Sequence, residues 1–257
     1  MKPYYQDDDK QITIYHGDAR EILPTLEAGT VDLVLTDPPY GETSLEWDTA
    51  VDDWLPLLPR ILSPAGSLWC FGSLAFFMDQ AATFADWNKA QEIVWEKHNG
   101  SSLRTDRFRR VHELVVHLYH KGTRWADLYK DPQFTMDASN VTVRRKTKPA
   151  HFIQDGAKVT SFQSHDGGPR HMRSVQFVRS THGYAVHPTQ KPEGIVRPPL
   201  LYSCPPGGLI VDPFFGSGTT GAVARQEGRR CIGIDIKEEN CEIAVNRLSQ
   251  QVLDLTA

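Results

Sequence analysis

The chain has 257 residues, 40% hydrophobic and 23% charged, with a net charge of −4, which is ordinary globular composition. No apolar run approaches the roughly 18 residues of a membrane span. The acidic start MKPYYQDDDK has no apolar stretch, so a secretory signal is not expected and a cytoplasmic location is the default.

The length suits one domain with an elaboration, or one domain plus a small second one. In chain order, Gln11 to Asp18 (QITIYHGD) reads as a short strand ending in Gly-Asp, and Ala19 to Glu27 as a helical stretch interrupted by Pro24. Val31 to Thr36 is a second strand, stopped by Asp37-Pro38-Pro39-Tyr40-Gly41. Trp54 to Leu62 has helical spacing, Ser63 to Gly66 reads as a turn, Ser67 to Phe71 as a strand, and Leu74 to Phe84 as a helix. Strands alternating with short helices predict an α/β parallel sheet.

Gln91 to Glu96 and Glu113 to Tyr119 read as two strands flanking the basic SSLRTDRFRR. From Gly122 to about Tyr184 periodicity is lost over a length too great for a loop in a compact domain. We therefore divide the chain into 1–122, an inserted module over 123–184, and 185–257, in which the α/β rhythm returns. There Gly208 to Asp212 is a strand, Ser217 to Glu227 a helix, Cys231 to Ile236 a strand and Glu238 to Gln251 a closing helix.

Charge is unevenly spread. Trp95 to Ser180 holds 16 Lys and Arg against 8 Asp and Glu, a net of +8, which leaves the remainder at −12. Seven of the ten histidines fall in the same segment. That asymmetry points to a polyanionic partner rather than to a merely solvated face. The four cysteines, Cys70, Cys204, Cys231 and Cys241, have no Cys-x-x-Cys spacing, so neither a zinc site nor a disulfide framework is expected.

Leu209 to Ile236 is a strand, a glycine loop, a helix and a second strand, and Gly216-Ser217-Gly218-Thr219-Thr220-Gly221 matches G-x-G-x-x-G, with Asp235 ending the next strand. Such a loop lets a ligand approach the backbone at a helix N-terminus, while the carboxylate grips ribose hydroxyls. Against a nicotinamide cofactor, Asp212-Pro213-Phe214-Phe215 intervenes between strand and glycine, and hydride transfer gives DPPY no task. No Gly-Lys-Ser/Thr follows, which excludes a P-loop.

DPPYG, HPTQKP (His187 to Pro192) and DPFFGSGTTG, in that order, resemble the S-adenosylmethionine-dependent DNA amino-methyltransferases, in the circularly permuted arrangement called the beta class. The resemblance covers roughly residues 10 to 122 and 173 to 250; the insertion matches in position and basic character alone. It implies a Rossmann-like fold with a mixed seven-stranded sheet containing one antiparallel strand, helices on both faces, and the insertion as DNA-recognition module. The implied partner is double-stranded DNA; a homodimer and a cognate restriction endonuclease stay open.

An exocyclic amino nitrogen is a poor nucleophile, its lone pair being delocalised into the base. Asp37 offers a side-chain acceptor for its hydrogens and Pro38 a main-chain one. Pro39 stiffens the turn, and Tyr40 offers a ring for the base to stack on. The base must be flipped out of the duplex. For the cofactor, the resemblance places Asp212, Phe214, Gly216 and Gly218 around the methionine part and Thr219 and Thr220 at the start of the helix. It puts Asp235 at the ribose, Asp18 near the adenine, Thr189 and Lys191 at the methionine carboxylate, and counts Asp37 among the cofactor-binding residues. Asp18 reads equally as a turn or cap residue, Phe214 also as core, and His187 as structural. Phosphate contacts are expected from Arg144, Arg145, Lys146 and Lys148, although a solvated cluster is nearly as good a reading, and from His98, Arg107, Arg109 and Arg110 by the hairpin.

In the family that the motifs resemble, Asp rather than Ser at position 37 leans towards adenine N6, with cytosine N4 as the alternative. Methylation of RNA or of a protein glutamine, and a non-catalytic DNA-binding module, are weaker readings.

Overall fold

The computed structural model describes residues 2–42, 49, 51–98, 105–106, 108–144, 161–181 and 190–253. Strands and helices follow in chain order as β1 (Tyr5–Gln6), β2 (Ile12–His16), α1 (Ala19–Ile22), β3 (Val31–Thr36), α2 (Leu58–Ile61), β4 (Leu62–Gly72), α3 (Leu74–Asp79), β5 (Trp87–Glu96) and β6 (His112–His120). Then come β7 (Phe134–Thr135), β8 (Val141–Arg144), β9 (Ser161–Ser164), β10 (Arg170–His171), β11 (Val175–Phe177), α4 (Glu193–Ser203), β12 (Leu209–Asp212), α5 (Thr219–Gln226), β13 (Arg230–Asp235) and α6 (Glu238–Leu253).

The apolar run of β3, buried everywhere except at Asp32, is that of a central parallel strand covered on both faces. It lies mid-sheet in the order β1-β2-β13-β12-β3-β4-β6-β5-β11. Strands β2, β13, β12, β3 and β4 run parallel, while β6 is antiparallel to both of its neighbours. The seven-stranded sheet with one antiparallel strand is thus present, widened by the short edge strands β1 and β11. Alternate residues feed two cores. Leu33, Leu35 and Trp69 face Ile195 and Leu200 of α4, whereas Val34, Leu68 and Cys70 face Leu55, Leu58 and Phe76.

Four local expectations change. Pro24 turns the end of α1 into a 3₁₀ turn over Leu23–Thr25. Ser63 to Gly66 belongs to β4, paired with β3 through a register irregularity between Val31 and Leu33. A Cβ on Gly66 would lie 2.8 Å from the Val31 carbonyl oxygen, so the glycine marks a close strand approach and not a turn. Helix α3 stops at Asp79, short of Phe84. Helix α4 went unread because Pro198 and Pro199 lie inside it; burial of Ile195, Val196, Pro199 and Leu200 sustains it.

The chain forms two compact units, Met1–Asp131 with Ser174–Ala257, and Pro132–Arg173. The smaller unit is shorter than the 123–184 segment marked by lost periodicity. Backbone bonds from Tyr129 to Ala65 (3.0 Å) and from Asp131 to Tyr202 (2.8 Å) hold the first part of that segment in the larger unit, and β11 pairs with β5. Within the smaller unit β7 pairs with β10 and β8 with β9. All four cysteines are free and buried.

Candidate active site

From β12 the chain passes through α5 to β13, and from β3 through α2 to β4, moving in opposite directions along the sheet. The carboxyl ends of β12 and β3 therefore flank the point where the winding reverses, the general ligand position in such sheets. Asp212 ends β12, Asp37 follows β3, Asp235 ends β13 and Asp18 lies two residues past β2, so four carboxylates gather along one sheet edge. Because β6 is antiparallel, with Leu114 opposite Gly72, its first residues bring Glu113 to the same edge.

The glycine loop is shaped from below by Phe215, 4% exposed, whose ring lies against Gly221 and Gly233. A Cβ on Gly233 would approach Phe215 Cγ to 2.3 Å. Gly216 (φ +50°) and Gly218 (φ +74°) take left-handed conformations that glycine alone adopts at no cost. Asp212 ties three elements together: Oδ1 accepts from Thr36 Oγ1 (2.9 Å) and the Phe214 amide (3.2 Å), and Oδ2 from Thr220 Oγ1 (2.7 Å). Burial pushes its carboxyl up to about 7, against the lowering effect of those donors. Asp235 Oδ2 accepts from the Gly216 amide (2.8 Å), and Oδ1 from the Lys237 amide (2.9 Å) and Asn240 Nδ2 (3.0 Å).

Beyond β3 the two prolines carry Asp37 into a short ionic chain. Tyr40 donates its hydroxyl to Asp37 Oδ1 at 2.5 Å, and the Lys191 ammonium lies on Asp37 Oδ2. The same ammonium is 3.5 Å from Glu113 Oε2, and Lys97 bonds Glu113 Oε1. Side chains of Lys191 and Glu113 are each 12% exposed. Burial raises the Asp37 carboxyl, opposed by Lys191. Burial alone would lower Lys191, but Asp37 and Glu113 hold it above the ordinary lysine range, so it stays charged. Burial raises the Tyr40 phenol well above its usual value, and its ring packs on Phe76 at 5.2 Å between centroids.

The structure gathers Asp37, Pro38, Pro39, Tyr40, Lys191, Asp212, Phe214, Gly216, Gly218, Thr219, Thr220 and Asp235 at this edge, with differences in what they touch. Lys191, expected at the methionine carboxylate, is paired with protein carboxylates. Asp212 spends both oxygens inside the protein and acts as a clamp. Phe214 packs edge-on against Trp54 at 5.3 Å. Asp18 caps α1 through the Arg20 amide (2.8 Å) and pairs with the Arg20 guanidinium. His187, Thr189, Arg107, Arg145, Lys146 and Lys148 lie outside the described residues, and Arg144 ends β8. Arg109 and Arg110 are exposed, Arg110 pairing with Glu42 at 2.8 Å, while His98 Nδ1 accepts from the Ser180 amide at 3.3 Å. Sequence reading missed Glu113, Lys97 and Phe215. A Glu opening a strand and a second Phe in DPFF carry no local signal of their partners.

A parallel sheet with one antiparallel strand, a glycine loop at its winding switch and an acidic Pro-Pro-Tyr turn beside that loop define a Rossmann-like methyltransferase. The DNA methylase family model matches residues 31–246, and the chain belongs to the N6/N4 DNA methylase family. The type II methyltransferase M.ScaI of Streptomyces caespitosus is 28% identical over 273 residues, covering 99% of this chain and 86% of the relative. The crystal structure of an M1.HpyAVI–SAM complex superposes with a TM-score of 0.61 at 24% identity, covering 92% of this chain and 100% of that one. The PvuII DNA methyltransferase, cytosine-N4-specific, superposes with a TM-score of 0.66 at 18% identity, covering 96% and 88%.

Proposed function

We propose that the protein transfers the methyl group of S-adenosylmethionine to the exocyclic N6 of an adenine flipped out of duplex DNA, at a specific sequence. The observation that carries this reading is the placement of Asp37, on its proline-stiffened turn, beside a left-handed glycine loop in a member of the DNA methylase family.

The loop fits the cofactor: among the described residues, and apart from Gly216 and its two chain neighbours, no atom lies within 4 Å of where a Cβ on Gly216 would stand, so a ligand can approach that backbone. The Gly216–Gly218 loop takes the methionine part, and Asp235 the ribose through acceptor capacity left on Oδ2. When bound, the sulfonium supplies a methyl already activated for direct transfer. Asp37 and the Pro38 carbonyl accept the amino hydrogens and draw the nitrogen towards tetrahedral geometry. The Tyr40 ring stacks on the extruded base, and aromatic stacking of about 1–3 kcal/mol offsets part of the flipping cost. Phosphates are met by Arg107, Arg109 and Arg110 and by Arg144, Arg145, Lys146 and Lys148, each contact steepening the salt dependence of binding.

Asp at position 37 favours adenine over cytosine. Methylation of duplex DNA with labelled cofactor, followed by digestion to nucleosides, is expected to place label in N6-methyladenine. Label confined to N4-methylcytosine would overturn the adenine assignment, and label in RNA or protein alone the DNA one. Asp37→Ala is expected to abolish transfer while DNA affinity stays broadly intact.

A further inference from the structure

Glu113 has no assigned task, yet it is a nearly buried carboxylate at the reacting edge of the sheet. Lys97 occupies its Oε1, and Lys191 and Lys97 together hold its carboxyl below the usual range despite burial, which acts to raise it. Its Oε2 is buried and, among the described residues, without a hydrogen bond; the Lys191 ammonium stands 3.5 Å off, beyond good hydrogen-bond distance. Lys191 meanwhile makes its contact with Asp37 Oδ2. Phe71 and Tyr40 offer their rings to the same ammonium at 5.4 and 5.9 Å from the centroids. One cation thus lies between two carboxylates, bonded to one and within a short swing of the other.

While Lys191 sits on Oδ2 and the Tyr40 hydroxyl on Oδ1, each oxygen of Asp37 already serves a donor. Each oxygen keeps a second lone pair, but the ammonium on Oδ2 draws on the same negative charge that must polarise the target amino hydrogen, so Oδ2 accepts that hydrogen best once the cation has moved away. Removing a buried ammonium from its partner with nothing in exchange carries a large penalty. We propose that Glu113 is a positioning residue that receives Lys191 as the target base arrives, freeing Asp37 Oδ2 for the amino hydrogen. The swing needs no proton transfer, since the ammonium keeps its charge throughout. Lys97 fixes the Glu113 carboxylate in place for it, and the cation–π contacts with Phe71 and Tyr40 steady the ammonium between its two partners.

The inference rests on the methyl-transfer reading, and the experiment separates the two. Wild type, Glu113→Gln and Glu113→Asp are compared for methyl transfer to duplex DNA over a pH series, for cofactor binding by calorimetry, and for thermal midpoint. In Glu113→Gln, Lys191 has Asp37 as its only carboxylate partner among the described residues. We expect kcat to fall about 100-fold, the cost typical of a misplaced reacting group, with KM for DNA and cofactor affinity within a few-fold of wild type. Asp37, left facing Lys191, Tyr40, Asp212 and the Cys70 thiol but without the Glu113 charge that raises it, is expected to titrate lower, so the acid limb of the kcat profile moves to lower pH. Glu113→Asp should recover much of the rate. A Glu113→Gln variant with wild-type kcat and acid limb, or one whose loss of rate follows its loss of thermal midpoint alone, overturns the assignment. An inactive wild type that still binds DNA would instead overturn the methyl-transfer reading.

Discussion

Thr219 Oγ1 donates to the Lys191 carbonyl at 3.1 Å, fastening the first residue of the helix after the glycine loop to the backbone of the residue whose ammonium rests on Asp37. The same hydroxyl accepts from Arg247 at 2.8 Å, and Thr219 is 6% exposed. The glycine loop and the Asp37 turn are therefore linked through the Thr219 hydroxyl and Lys191. Thr219→Val keeps the shape but leaves a carbonyl and a guanidinium donor short of partners. It is expected to destabilise the protein by about 1–3 kcal/mol and to weaken cofactor binding together with transfer. Urea unfolding and calorimetry measure both, and a change in neither would show that the coupling is slack.

Phe215 and Gly233 make a steric pair that can be tested in both directions. Gly233→Ala places a methyl 2.3 Å from Phe215 Cγ, so the ring or the strand must shift. Overpacking of this kind costs about 1–3 kcal/mol. Phe215→Ala alone leaves a cavity and is expected to cost about 3–5 kcal/mol. The double variant should lose clearly less than the sum, since removing the ring makes space for the methyl. Additive losses would mean that the ring does not set the need for glycine.

His117 is fully buried, stacked on Trp69 at 4.6 Å and 4°, and burial with nearby Lys130 lowers its pKa to about 3. The unfolded chain takes up its proton near the ordinary value of 6.5, so His117 favours folding above that pH, and the benefit is lost as pH falls towards 3. His117→Phe keeps the stack on Trp69 and removes the titration. The thermal midpoint of this variant is expected to decline less than that of wild type between pH 6.5 and 4.5. Parallel declines would remove His117 as the cause.

The positions of β3, β12 and β13 along the chain were readable because each is a short apolar run ended by Asp, followed in two of them by Pro, signals that lie within a few residues. The motifs were readable for the same reason, DPPY and the glycine loop being contiguous. What stayed hidden depends on residues far apart in sequence. Lys191 and Asp37 stand 154 positions apart, and only the fold reveals that they pair. The Lys191 ammonium is expected from the sequence at the methionine carboxylate and in the structure is bound to Asp37. Helix α4 was hidden by Pro198 and Pro199, whose local penalty is overridden by burial of its apolar face.

Asp212 should give stability the opposite dependence on pH. Burial raises its carboxyl from near 3.8 in the unfolded chain to about 7, so its contribution is fully present below about pH 4 and lost as pH rises through 7. Between pH 6.5 and 8 His117 is uncharged in the native state and goes from half protonated to nearly uncharged in the unfolded chain, while native Asp212 holds the larger fraction of a proton throughout, which leaves Asp212 as the steeper influence of the two. Asp212→Asn retains one oxygen to accept from Thr36 and the Phe214 amide, while its amide nitrogen can donate to Thr220 Oγ1, since a hydroxyl also accepts. The wild type is expected to lose stability across that interval in urea unfolding, and Asp212→Asn to hold level or gain slightly as the unfolded His117 sheds its proton, with the gap between them closing or reversing towards pH 8. If the variant falls with the wild-type slope, the carboxyl is already ionised in the native protein and the three donors outweigh burial.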